Sequence, residues 1–137
     1  MMELTSPWIV QFSRTSFLNT LLSTHKNVRE VKRTNDILFS FRRNDCDKEI
    51  KLLGIDQYAC SLAIVLRALE DFGEIHYICV GGVWDGYSRQ AKDYCLENKI
   101  GLYNTSELSG GLWTKEYWNY AKKDDDGNRI YNYKTST

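Results

Sequence analysis

Residues 75–108 read IHYICVGGVWDGYSRQAKDYCLENKIGLYNTSEL, and this stretch decides the fold. Ile75–Val80 is a short, nearly continuous apolar run, which is how a strand buried on both faces reads. Gly81-Gly82 breaks it. Tyr87–Lys99 then places Ala91, Tyr94, Cys95 and Leu96 on one helical face. Ile100–Tyr103 is another short apolar run, and Ser106–Leu112 begins a further helix or turn. Strand, helix and strand in so short a span require a right-handed crossover, hence parallel strands with a helix packed over them.

Upstream, Tyr58–Phe72 is the clearest helix: Ala59, Leu62, Ala63, Val65, Leu66 and Leu69 are apolar, and Gly73 stops it. Asp56, just before it, suits an N-cap or first-turn acid. Ile37–Phe41 and Ile50–Asp56 read as strands that pair as a hairpin, and the polar segment from Arg42 to Glu49 suits the turn. Val28–Lys32 is a candidate first strand. Ser16–His25 reads as a helix, with Ser13, Thr15 or Ser16 as caps. The order is α, two or three β, α, β, α, β. The fold class is α/β: a small mixed β-sheet sandwiched by helices, in one domain with a core over about 16–112. Residues 113–137 form an aromatic-rich extension, with a turn over Lys122–Asn128.

A chain of 137 residues can bury roughly two-thirds of its unfolded surface, enough for one core. Aromatic residues make up 13%, which excludes disorder for most of the chain. No apolar stretch reaches about 18 residues, and Met1–Thr5 lacks a signal-peptide pattern, so a cytoplasmic protein with no membrane partner is expected. Cys46, Cys60, Cys79 and Cys95 have no paired ligand spacing and are expected to be reduced and mostly buried. His76 and Cys79, three apart on a strand, point to opposite faces. The formal net charge is zero, but residues 1–51 hold nine Lys/Arg against six acids, and 52–137 hold nine against twelve. That allows a local basic face and argues against strong nonspecific polyanion binding.

The order αβββαβ followed by a further αβ, together with the pattern of residues 75–108, resembles the PD-(D/E)xK, or restriction-endonuclease-like, superfamily in its Mrr-type members. The resemblance runs from about Asn27 to Leu112. It implies a restriction-endonuclease-like αβββαβ core and a phosphodiester hydrolase in which two carboxylates hold Mg²⁺ beside a lysine. The linear motif can be written as Asp36, twelve intervening residues, then Glu49-Ile50-Lys51. In an antiparallel hairpin, however, Glu49 falls near Arg42 or Arg43, about 20 Å from Asp36 at about 3.3 Å per residue. The register that faces Asp36 brings up Gly54-Ile55-Asp56, where Gly54 replaces the acid and Asp56 the lysine. Asp36 and Asp56 are then the candidate metal ligands and catalytic pair, with Gln57 nearby; Glu49 and Lys51 belong to the alternative register. A catalytic lysine would have to come from elsewhere, Lys32 or Lys51.

Lys32, Arg33, Arg42 and Arg43 are the candidate phosphate contacts. Two functions follow. One is a nucleic-acid-binding protein, DNA ahead of RNA, that cleaves with Mg²⁺ if the damaged motif is active. The other is a catalytically silent domain of the same fold that binds a protein as a regulator or inhibitor. The oligomeric state is open, a homodimer included. Gly81–Gly86 lacks the spacing of a phosphate loop and reads as a tight connection. Trp113, Tyr117, Trp118, Tyr120, Tyr131 and Tyr133 suit either a stacking platform or packing on the sheet.

Overall fold

Asn44-Asp45 makes a two-residue turn, and a bulge just after it shifts the pairing of the flanking strands from Arg43 opposite Cys46 to Arg42 opposite Glu49. The computed structural model describes residues 8–135. Helix α1 (Phe12–Thr24) leads into β1 (Val28–Asn35), β2 (Leu38–Arg43) and β3 (Cys46–Gly54). A two-residue β4 (Ala59–Cys60), α2 (Leu62–Phe72), β5 (Tyr77–Cys79), a two-residue β6 (Gly86–Tyr87) and α3 (Arg89–Glu97) follow. Strand β7 (Gly101–Tyr103), α4 (Thr105–Trp113) and the small hairpin β8 (Lys122–Lys123) and β9 (Arg129–Ile130) complete the order. The fold is mixed α/β, with a five-stranded sheet in the order β1-β2-β3-β5-β7. The first three strands are an antiparallel meander, whereas β3, β5 and β7 run parallel.

Strand side chains alternate between faces, and the two cores follow from that alternation. Phe39, Phe41, Leu52, Tyr77, Cys79 and Tyr103 point to one face, where Leu18 and Leu22 of α1 and Leu108 and Leu112 of α4 cover them. Leu53, Ile78, Val80 and Leu102 point to the other, beneath Val65 and Ala68 of α2 and Ala91 and Cys95 of α3. Each fully buried side chain of this kind contributes about 1.5–3 kcal/mol, so the two helical layers hold the sheet between them. No helix among the described residues is long and apolar enough to cross a membrane. All four cysteines are free: Cys46 is exposed, and Cys60, Cys79 and Cys95 are buried.

Among the boundaries that differ from the sequence reading, three have a clear local reason. Helix α1 starts at Phe12; Gln11 holds the cap position without a side-chain bond, and Thr15 Oγ1 donates to Phe12 O (3.0 Å). Helix α2 starts at Leu62, because Ser61 is its cap, the Ser61 side chain accepting from Ile64 N (3.3 Å). That removes the cap role from Asp56. The turn between β2 and β3 is only Asn44-Asp45, so Arg42, Arg43 and Cys46–Glu49 lie in strands. The C-terminal aromatics are packed: Tyr117 lies 5.1 Å from Tyr77, Tyr120 6.1 Å from Tyr103, and Tyr133 6.0 Å from Tyr87, ring to ring. Trp113 remains exposed.

Candidate functional site

The carboxyl ends of β3 and β5 carry the richest polar constellation outside the core. Helix α1 sends Arg14 there, because Arg14 stands four residues before Leu18 and eight before Leu22, on the buried face of the helix. Its Nη2 lies 3.5 Å from Asp56 Oδ1 and 3.9 Å from Asp85 Oδ2. Asp85 Oδ2 also accepts from the Gly82 N–H (2.8 Å), and Asn104 Nδ2 donates to Asp85 O (2.9 Å), fixing the loop between β5 and β6. Both glycines of that loop keep space for these groups, and Gly81 also has a backbone that favours glycine. Gly81 has φ +147° and a Cβ there would overlap the Asp85 carboxylate, while a Cβ on Gly82 would strike the Arg14 guanidinium. The tight connection read from Gly81–Gly86 thus has a purpose: it brings backbone up to a charged pair. These ion pairs are long and about a quarter exposed, so each contributes only about 0–1 kcal/mol to stability. The same loops display Tyr58 (59% exposed) and Trp84 (81%), and Lys134 Nζ stands 5.5 Å above the Tyr58 ring.

The hairpin has the register that faces Asp36 with residues 54–56: Leu38 pairs with Leu53, and the Gly54 N–H donates to Ile37 O (2.8 Å). Glu49 pairs with Arg42 and Lys51 with Ser40, so the alternative motif lies toward the other end of the hairpin from Asp36. Gly54 is buried, and a Cβ there would overlap Leu18 Cδ1 of α1, so a side chain at this position must displace the buried Leu18 side chain. Asp36 is exposed and lines a shallow cleft with Val10, Phe12, Thr15 and Arg33, while Asp56 is held toward Arg14. Gln57 is half-buried, its N–H donating to Val80 O (2.7 Å). A divalent cation at Asp56 would meet the like charge of the Arg14 guanidinium, 3.5 Å from that carboxylate, which opposes Mg²⁺ there. Among the described residues no group of three or more His, Cys, Asp or Glu side chains could hold a metal ion.

The basic candidates divide. Arg43 is 2% exposed and is spent inside the fold: Nη1 donates to Tyr77 OH (2.7 Å), Nη2 to Thr114 O (2.7 Å) and Nε to Asp45 Oδ1 (3.0 Å). It cannot reach a phosphate. Arg42 Nε lies 3.6 Å from Glu30 Oε1, and its Nη1 donates to Asp47 O. Glu30 has φ +56° in a bulge of β1, which turns it toward both Arg29 and Arg42. Lys32 and Arg33 stay exposed, Arg33 lying 5.8 Å over the Phe39 ring. The N-terminus of α3 is filled internally, Ser88 Oγ accepting from Ala91 N (3.1 Å).

Sequence reasoning missed Arg14, Asp85, Tyr58 and Trp84 as neighbours, and it missed two buried charged side chains. Lys92 is fully buried, its Nζ donating to Leu102 O (2.7 Å) and standing 4.4 Å from the Tyr103 ring centroid. Glu107 is 1% exposed, accepting from Tyr87 OH (2.7 Å) and from Asn104 N (3.0 Å) in a capping box on α4. Comparison of the chain with protein-family models, with curated proteins and with solved structures finds no match.

Proposed function

We propose that the chain is a restriction-endonuclease-like domain that binds nucleic acid, single-stranded DNA ahead of RNA, at the carboxyl end of its sheet and does not hydrolyse it there. What carries this reading is the surface around Arg14, where loops bearing exposed Tyr58 and Trp84 hold a partly buried guanidinium between Asp56 and Asp85. Aromatic faces stack on bases at about 1–3 kcal/mol each, and Arg14 and Lys134 are the cations on hand for phosphate. The element order and the β2–β3 register support the superfamily reading. The Arg14–Asp56 pair and the closed side of Gly54 support binding without hydrolysis.

Fluorescence anisotropy with labelled single-stranded DNA, duplex DNA and RNA, with and without Mg²⁺, tests it. Single strands bind without being cut, Trp84→Ala weakens binding about fivefold or more, and the salt slope is shallow, near about −1. Mg²⁺-dependent cleavage that disappears in Asp36→Ala/Asp56→Ala would replace this reading with an active endonuclease. A protein-binding regulator is the second reading, favoured by the exposure of Phe12 (76%) and Val83 (55%) on α1 and the β5–β6 loop. Loss of all oligonucleotide binding, with a Trp84-dependent protein cross-link, would select it.

A further inference from the structure

His76 precedes β5 at its amino end, the opposite end of the strand from the loop that carries Asp85, and is 4% exposed. Its backbone N–H donates to Lys51 O (2.9 Å), and its ring Nδ1 accepts from Lys51 N (3.0 Å). An accepting Nδ1 carries no proton, so the neutral ring carries its proton on Nε2. Burial, and next the charge of Lys48, lowers the pKa of this imidazole below the ordinary value, which keeps it in that neutral form. Nε2 is buried, and among the described residues it has no hydrogen-bond partner. Glu74 Oε2 stands 3.8 Å away, beyond hydrogen-bond reach. A buried donor left unpaired has lost its bond to water and gained none in return.

The ring lines a cleft of about 380 Å³, within the range of about 300–1,000 Å³ usual for small-molecule sites. Lys48 and Lys99 stand on its rim, and Tyr94 and Tyr117 form walls, Tyr117 lying 6.0 Å from the imidazole, centroid to centroid. Glu74 is 75% exposed, with its carboxylate 4.0 Å from Lys48 Nζ; it sits between a cation and the free donor and satisfies neither closely. We propose that this cleft binds the oxyanion of a small molecule, a carboxylate or a phosphate, which accepts from His76 Nε2 and is flanked by the ammonium groups of Lys48 and Lys99. Glu74 is the internal competitor for that position. The site is separate from the Arg14 surface and does not depend on it.

The test is a titration of the full ¹⁵N-labelled chain with inorganic phosphate, adenosine 5′-monophosphate and benzoate, following the ring nitrogens of His76. The three probes separate free phosphate, phosphate monoester and carboxylate. Saturable movement of the Nε2–H signal with at least one probe is the expected result. Lys99→Ala, at an exposed position, weakens that binding about tenfold, and Glu74→Gln leaves it intact or tightens it. The proposal is overturned if no probe moves the His76 ring signals up to about 10 mM, a Kd at which binding is negligible, or if Lys99→Ala leaves the binding unchanged.

Discussion

Replacing Lys92 by Met removes a positive charge from the interior, and the consequence depends on pH in a way the structure dictates. The ammonium is fully buried, bonded to Leu102 O, and stands 4.4 Å and 5.1 Å from the ring centroids of Tyr103 and Tyr87. Burial lowers its pKa from 10.5 to about 8, with the Glu107 carboxylate opposing the shift. At about 1.4 kcal/mol per unit, that gap makes the charged lysine cost the fold about 3 kcal/mol. Because the folded value is depressed, the folded chain releases this proton before the unfolded chain does. The cost is therefore full below the folded pKa of about 8 and is removed as pH rises toward 10.5. The three buried thiols work in the opposite direction: burial pushes Cys60, Cys79 and Cys95 up to about 12, so their stabilising contribution is complete below 9 and is lost as pH rises from there toward 12. Subtracting the variant from the wild type cancels Cys60 and Cys79 and leaves the lysine with its neighbour Cys95, whose own titration near 12 lies above the range used. Urea unfolding of both proteins at closely spaced pH should show a constant difference below about pH 7, then a shift of about 2 kcal/mol in favour of wild type by about pH 9.5. A difference that stays flat across this range would mean that Lys92 is solvated, and would refute the buried-ammonium account.

Gly54→Ala places a methyl group against Leu18 and should destabilise the fold by about 1–3 kcal/mol in urea unfolding, although Ala is the better strand residue elsewhere; a neutral result would mean that the Leu18 side chain is free to move aside. Gly86→Ala would overlap Asn132 O, so amide exchange should rise at Tyr87 and Lys134, which bond across this junction, while β3, β5 and β7 stay protected. Thiol labelling of the native chain should be fast only at Cys46, with Cys60, Cys79 and Cys95 reacting after unfolding. Rapid labelling of a second native thiol would contradict their burial.

The β5–α3–β7 unit is legible in the sequence because its strands are buried on both faces and its helix keeps one apolar stripe. The β2–β3 register is legible because the apolar ends of Leu38–Phe41 and Ile50–Leu53 leave one sensible pairing. Cys46–Glu49 looks like loop because all four residues are exposed, so no alternation marks the strand. The Ala59–Cys60 strand is invisible because it exists only by pairing with Gly86–Tyr87, a contact made by the tertiary fold. Arg43 reads as a surface charge, and distant partners, the Tyr77 hydroxyl and the carbonyl of Thr114, seventy-one residues on, make it a core residue. Arg14 had a signal that the chosen helix start hid. Beginning the helix at Phe12 puts a charge in line with Leu18 and Leu22, and a charge on a buried stripe asks for an acidic partner.

The central claim is that the carboxyl end of the sheet is the binding surface, and backbone amide shifts of the ¹⁵N-labelled chain titrated with a short single-stranded DNA locate it directly. The account predicts perturbations concentrated at residues 12–14, 56–58 and 81–86, lost in Trp84→Ala while the rest of the spectrum is preserved. Perturbations confined to the outer strands around Lys32, Arg33 and Arg42, or none at all at saturating oligonucleotide, would contradict it.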